Sequence, residues 1–400
     1  MRKKEQPSAT LPYIFVQAMI WGTYGILFSY ANPYMTEKLR LSDTAAGLIL
    51  CAATALACLL QPLLTAAADR TGLNVRRILA FGGLLTSLCA GATLLPGLGT
   101  GATAALFAGS CAGLQILPSF ANALGMEGIR GGMRINFGLA RGIGSVSFGV
   151  TARIAPLLIA RIGMAGVAIA GAVTAALLIP SVFLMPEGGR LTAHREEKPT
   201  SARDFFRENP KMAGFLLGAI LLYVGHNVLS NCMFRVAQLK TPGADDAAAT
   251  AVQGTALLIA AVVELPAMFL FTTVVKKVRC DRLLLLSCLC MTLRLALTLL
   301  LPGAGGLYAA QVMQMLGFAL FAVSTVYYVG SVVPERNVVK GQTYLGTANT
   351  LGCLVAWVLG GSLIDAVGVE RMLIVCIAIS AAGFLLALLS RQKVTKTVGA

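Results

Sequence analysis

PEGGRLTAHREEKPTSARDFFRENP, residues 186–210, is the longest polar stretch of the chain, and its position decides how the rest is read. It carries Arg190, His194, Arg195, Glu196, Glu197, Lys198, Arg203, Asp204, Arg207 and Glu208, and six apolar segments lie on either side of it. Before it they fall at 12–36, 44–66, 78–95, 101–122, 136–160 and 164–185; after it at 211–235, 250–275, 283–301, 305–330, 342–364 and 370–390. Each is near the ~20 residues a helix needs to cross a bilayer. Breakers mark many of the boundaries, among them Pro96-Gly97, Pro242-Gly243, Pro302-Gly303 and Pro334-Glu335-Arg336. The pattern predicts an all-α membrane protein of twelve transmembrane helices in two pseudo-symmetric six-helix bundles. Its parts are a cytoplasmic N-terminal tail (1–11), an N-terminal bundle (12–185), a cytoplasmic linker (186–210) with one interfacial turn near Ser201 to Phe206, a C-terminal bundle (211–390) and a cytoplasmic C-terminal tail (391–400).

Composition supports lipid as the solvent. Of 400 residues 57% are hydrophobic and only 12% charged, against about one quarter charged in a soluble domain. The 43 glycines and 15 prolines suit packed membrane helices. Nine of the ten cysteines fall in apolar stretches with no ligand spacing and read as small packing residues. The net charge of +15 alone would suggest nucleic acid, but its distribution argues otherwise. With a cytoplasmic N-terminus, the tails and inside loops hold 23 of the 32 Lys and Arg, and the outside loops only Lys38, Arg40, Arg161, Lys240 and Arg371. The positive-inside rule then places both termini in the cytoplasm of an inner-membrane protein and leaves no role for nucleic acid. The first apolar segment lacks a small-residue cleavage site and reads as a retained helix.

Charges at membrane depth are costly unless they face water or a partner, so they mark function. Glu264, in Val262-Val263-Glu264-Leu265-Pro266, is the only acid well inside a predicted helix. It is the candidate proton-coupling carboxylate, and the bland reading is a permanent pair with Arg294 of the ninth segment. Arg141 offers a planar fork for a carboxylate or vicinal hydroxyls, or else snorkels toward headgroups; Arg153 lies twelve residues further along the same segment. His226 and Asn227 of the seventh segment, with Asn231, could bind a sugar-like or nucleoside-like solute or relay a proton, or could simply glue helices. Asn122, Gln61, Gln115, Gln311 and Gln314 carry weaker versions of that argument, and Tyr24, Tyr30 and Asn32 could face the same cavity. In the fifth segment Gly138 and Gly142 share a face that permits close backbone approach. No acid, histidine or cysteine cluster has catalytic or metal spacing, so neither an enzyme nor a metal or other cofactor is expected.

The loop Asp69-Arg70-Thr71-Gly72 followed by Arg76-Arg77 resembles the signature between the second and third helices of the major facilitator superfamily. The resemblance implies a conformational latch on Asp69, Arg70, Gly72, Arg76 and Arg77. The second-half counterpart, Lys276-Lys277-Val278-Arg279, is basic and lacks the acid. Asn136-Phe137-Gly138-Leu139-Ala140-Arg141-Gly142-Ile143-Gly144 and Glu264-Leu265-Pro266 with Arg294 resemble the branch holding lactose permease-like, nucleoside and 3-phenylpropionate permease-like proton symporters. That likeness implies substrate contact by Arg141 and coupling by Glu264. The chain departs from lactose permease at the fourth-helix glutamate, which falls near Ala123 with Glu127 aligned to a loop acid. It departs again at the tenth-helix histidine, replaced in Gln314-Met315-Leu316-Gly317. The expected function is proton-coupled uptake of a small polar organic solute, a saccharide, nucleoside or aromatic acid, by a functional monomer in the bilayer. Substrate binding would fall to Arg141, Glu264, His226, Asn227, Tyr24, Asn122 and Gln314, and proton coupling to Glu264, Arg294 and His226. The alternative is drug or metabolite export by the same fold through a greasy cavity that includes Met19, Met233 and Met313.

Overall fold

The computed structural model describes residues 8–71, 74–186 and 201–394. The long helices among the described residues are α1 Thr10–Thr23, α2 Asp43–Thr71, α3 Val75–Ala92, α4 Thr100–Arg130, α5 Phe137–Ile162, α6 Ala165–Phe183, α7 Pro210–Asn231, α8 Asp246–Val274, α9 Cys280–Leu300, α10 Gly303–Val332 and α11 Val338–Leu389. A turn of π-helix, Tyr24–Phe28, extends α1, and a second, Met315–Ala319, interrupts α10. All eleven contain a stretch long and apolar enough to cross a membrane. The last has 52 residues, roughly 78 Å at 1.5 Å per residue, far more than the ~30 Å hydrocarbon core requires. It joins two helices across Gly368, whose φ of +83° breaks the helical geometry, and the apolar segments 342–364 and 370–390 lie on either side of that glycine.

Two compact units divide the chain: Met1–Leu41 with Leu48–Arg195, and Ser42–Gly47 with Glu196–Ala400. In the first, α1 packs on α5 and α6, and α3 on α4 and α6. Close approach of α1 to α5 depends on Gly25 and Gly144. A Cβ on Gly25 would lie 2.3 Å from the Phe148 carbonyl oxygen, and one on Gly144 2.7 Å from the Trp21 ring. Gly138, expected at such a contact, would meet nothing nearer than the Asn136 side chain at 3.9 Å. Asn136 is instead the helix cap, its side chain accepting from the Leu139 N–H. The α4 helix runs eight residues past its apolar segment, so Glu127 is a buried helical residue rather than a loop acid.

In the second unit α7 lies along α11. Gly218 and Gly383 face each other there, a Cβ on either falling 2.8 Å from the other's carbonyl oxygen. The first turn of α2 is built into this unit. The Asp365 carboxylate accepts from the N–H groups of Asp43 and Thr44 at 3.3 and 2.7 Å, satisfying donors that a helix start leaves unpaired. The Asp43 carboxylate accepts from Arg235 Nε at 2.9 Å. Lys240 closes the other end of α9, donating to the carbonyls of Leu299 and Leu301. Burial pulls its ammonium below the ordinary lysine range, with Glu370 opposing the shift.

At its opposite end α9 departs from the sequence expectation. The basic segment Lys276 to Arg279 does have an acid: Asp281, whose side chain is fully buried and bonds Arg279 (2.9 Å) and Arg391. The following residue of the tail, Gln392, donates its N–H to the Tyr328 hydroxyl, so 391–394 is tied to the bundle. The linker helix Ala202–Glu208 is capped by Ser201 and buries Phe205. Residues 187–200 lie outside the described residues.

Candidate transport site

Each unit holds one chain of polar side chains on its apolar helices. In the first unit it runs along α1. The Tyr13 hydroxyl donates to the Ala121 carbonyl and accepts from Gln17 Nε2 at 2.8 Å, and Gln17 Oε1 accepts from Trp21 Nε1 at 3.0 Å. Residues 13, 17 and 21 fall four apart and share a face of the helix. The Arg141 guanidinium sits 4.0 Å above the Trp21 ring centre and donates to Ser145 at 2.9 Å. That stack holds the fork through attraction to the ring's negative face. Tyr24 continues the aromatic row, its ring 5.3 Å from both Trp21 and Phe28, helped by the wider π turn at Tyr24–Phe28. Arg153 is half-buried on α5, near Tyr30, whose hydroxyl donates to Ala152.

The second unit joins α7, α8, α9 and α10. The half-buried Glu264 carboxylate accepts from Gln314 Nε2 at 2.8 Å. Arg294 donates to Gln311 Oε1 and to His226 Nδ1, the latter at 3.1 Å. Glu264 and Arg294 thus belong to one neighbourhood, in which the Glu264 charge acts on Arg294. An arginine can only donate, so His226 Nδ1 is the acceptor, the ring proton is on Nε2 and the imidazole is neutral while this contact lasts. Phe318 fixes the ring by stacking, with centroids 4.1 Å apart and planes 4° from parallel. Gln311, Gln314 and Phe318 are spaced three and four apart, and the π turn Met315–Ala319 carries the face between them. A π turn within an α-helix frequently accompanies a functional site.

Arg294 Nε, Gln311 Nε2 and Gln314 Oε1 of this network, and Asn227 Nδ2 and Asn231 Nδ2 on α7, are buried without a hydrogen-bond partner in the structure.

The remaining expected residues are less concentrated. Asn122 is exposed on α4. Gln61 donates to Ser119 and Gln115 to the Cys111 carbonyl, which is helix packing. Arg76 is buried and donates to the Phe183 carbonyl at 3.0 Å, its guanidinium 5.6 Å from the Phe183 ring centre, while Arg77 is exposed. Gly72 and the side chains of Asp69 and Arg70 lie outside the described residues. Met233 is fully buried in the core of the second unit, so it packs rather than lining a cavity. All ten cysteines are free thiols, and among the described residues no His, Cys, Asp and Glu group could hold a metal ion. Sequence reasoning missed Gln17, Trp21 and Phe318. A glutamine flanked four residues away by Tyr13 and Trp21 in an apolar helix was the available signal for the first two.

The model of the MFS_1 like family matches residues 13–347. The chain belongs to that family. It is accordingly a multi-pass membrane transporter of the major facilitator type and not an enzyme. Among solved structures, the nucleoside transporter NupG superposes with a TM-score of 0.77 at 16% identity, covering 95% of this chain and 97% of that one. A POT family transporter in complex with 5-aminolevulinic acid gives 0.71 at 14% identity, covering 98% and 99%. A bacterial homolog of the human lysosomal transporter Spinster, inward-facing and unoccupied, gives 0.67 at 15%, covering 96% and 98%. At these identities the likeness establishes the shared fold. No curated protein matches the chain.

Proposed function

We propose that this transporter takes up a small polar organic solute, a saccharide, nucleoside or aromatic acid, together with a proton, by alternating access. The observation that carries the reading is the contact between Glu264 and a neutral glutamine. The Gln314 side chain presents Nε2 to the carboxylate, and after rotation of the amide the unpartnered Oε1 accepts from the protonated acid. Gln314 can thus keep a hydrogen bond to Glu264 in both protonation states. Loading it with a proton removes a negative charge near Arg294 and frees that network to rearrange, which links protonation to conformation.

His226 is the lesser proton carrier, because Arg294 occupies its Nδ1 in the neutral form. Its role is to hold Arg294, while Asn227, Asn231 and Gln311 supply unspent N–H donors that suit a solute rich in oxygen acceptors. Arg141 on Trp21, beside Tyr24, supplies an aromatic and cationic surface that favours a ring carrying hydroxyl or carboxylate oxygens. The likeness to a nucleoside transporter agrees with that class. The basic loops favour an inner-membrane monomer with both termini cytoplasmic, and Arg76 and Arg77 would act with Asp69, Arg70 and Gly72 as the conformational latch.

The test is uptake of a panel of labelled saccharides, nucleosides and aromatic acids into proteoliposomes with an imposed inward-acid pH gradient. One of these classes should accumulate and a protonophore should collapse the accumulation. Accumulation that ignores the pH gradient would exclude proton coupling.

A further inference from the structure

Two faces of α11 are left uncovered, and they differ in chemistry. Leu351, Val355 and Val358 fall four and three apart and are exposed, an apolar face of the kind that lipid covers. Gln342, Gly346, Asn349 and Cys353 fall four, three and four apart on the opposite face, Gly346 and Asn349 exposed and Gln342 and Cys353 half-buried. Asn349 lies eleven residues past the helix start at Val338, roughly 16 Å along the axis, which is deep in a hydrocarbon core of ~30 Å. An amide open to lipid at that depth is costly. The polar face is therefore the wet one and the apolar face the one against lipid.

Further along, the polar face closes. Trp357 and Gly360 are buried. A Cβ on Gly360 would lie 2.8 Å from the Cys232 sulfur, and one on Gly47, in the first turn of α2, would overlap the Trp357 carbonyl. Gly346 has no such neighbour, and a Cβ there would meet nothing within 4 Å. Glycine in a membrane helix ordinarily marks a close approach, so an open glycine on a polar face leaves bare backbone beside the space it borders. The side chains around it have spent donors locally. Gln342 donates to the Val326 carbonyl, and Thr343 and Thr350 donate to the carbonyls of Val339 and Gly346. The Asn349 amide makes no hydrogen bond among the described residues.

We propose that this face of α11 is a wall of the solute path and that Asn349 is a substrate-binding residue. A side-chain amide offers donors and an acceptor at one point, which matches a hydroxyl, a group that both donates and accepts. The contact rests on the polar-solute reading above and narrows it: a solute with free hydroxyls gains from Asn349, and one without them does not.

The test starts with the chain in lipid nanodiscs, which leave both membrane faces open, and its first step needs no substrate. Asn349→Cys and Gly346→Cys are compared with Leu351→Cys and Val355→Cys for reaction with trimethylammonioethyl methanethiosulfonate, read site by site by peptide mass spectrometry so that the native cysteines stay in place. The reagent's permanent charge keeps it out of hydrocarbon and only a thiolate attacks it, so the first pair should react about tenfold faster than the second. Gly346→Cys gives the answer if Asn349→Cys fails to fold. Equal rates for the two pairs would overturn the proposal. In uptake, Asn349→Ala should raise the KM of a hydroxyl-bearing solute about fivefold with kcat kept, the loss of one hydrogen bond, and Asn349→Gln should recover part of it. An unchanged KM would overturn the substrate contact. Fast labelling in a chain whose accumulation ignores the pH gradient would remove proton coupling while supporting the wet wall.

Discussion

The two units solve the same problem, polar side chains inside apolar helices, with different chemistry. In the cluster of the first unit Arg141 rests on an aromatic face, and Tyr13, Gln17 and Trp21 are hydrogen-bonded to one another along a single helix. The cluster of the second contains an acid, a base and an imidazole drawn from four helices, with amides between them and several donors unspent. On the proposed reading the first holds a fixed charge in place and the second is the switch. Buried Asp281 of the second unit is clasped by two arginines, Arg279 and Arg391.

That contrast can be broken by substitution. The largest effect is expected at Asp281→Asn. It leaves Arg279 and Arg391 without their shared acid and should lower stability by about 3 kcal/mol, read as a fall in the thermal unfolding midpoint in detergent and as earlier proteolysis of the 391–394 tail.

Arg294→Met probes the switch. It strands the Gln311 and His226 acceptors in the interior, so a loss of about 2 kcal/mol is expected, accompanied by loss of proton-driven accumulation. Arg141→Lys keeps the charge but loses the planar stack on Trp21, worth about 1 kcal/mol. The apparent substrate affinity should fall about fivefold while the pH dependence of accumulation stays unchanged. The smallest effect belongs to His226→Asn, whose amide oxygen can replace Nδ1 as the acceptor for Arg294. Activity should drop modestly and the pH profile should not move; a shifted profile would make His226 a proton carrier and enlarge the switch beyond Glu264.

Much of the architecture was legible from the residues because lipid imposes a simple rule: a segment of about 20 apolar residues is a crossing. The boundaries between crossings were less so. Gly368 permits two helices to read as one because a single positive φ redirects the chain without a loop. Asp281 was missed because it sits two residues past the basic run and only folding brings it to Arg391, 110 positions away. At the site, the sequence identified the costly charges Glu264, Arg294 and Arg141, since charge at membrane depth is conspicuous. It did not identify their partners. Gln314 is 50 positions from Glu264 and Gln311 is 17 from Arg294, and nothing local distinguishes those amides from Gln61 or Gln115, which serve packing. Partner choice is a property of how α8, α9 and α10 pack, and periodicity carries no record of it.

The central claim is that Glu264 is the exchangeable proton site, and it is tested most directly by comparing two assays of Glu264→Gln in proteoliposomes once a substrate is known. The amide copies the protonated acid and keeps a hydrogen bond to Gln314, so exchange of labelled for unlabelled substrate at equal pH should continue at near the normal rate while accumulation driven by a pH gradient is lost. Full gradient-driven accumulation by Glu264→Gln would contradict the account.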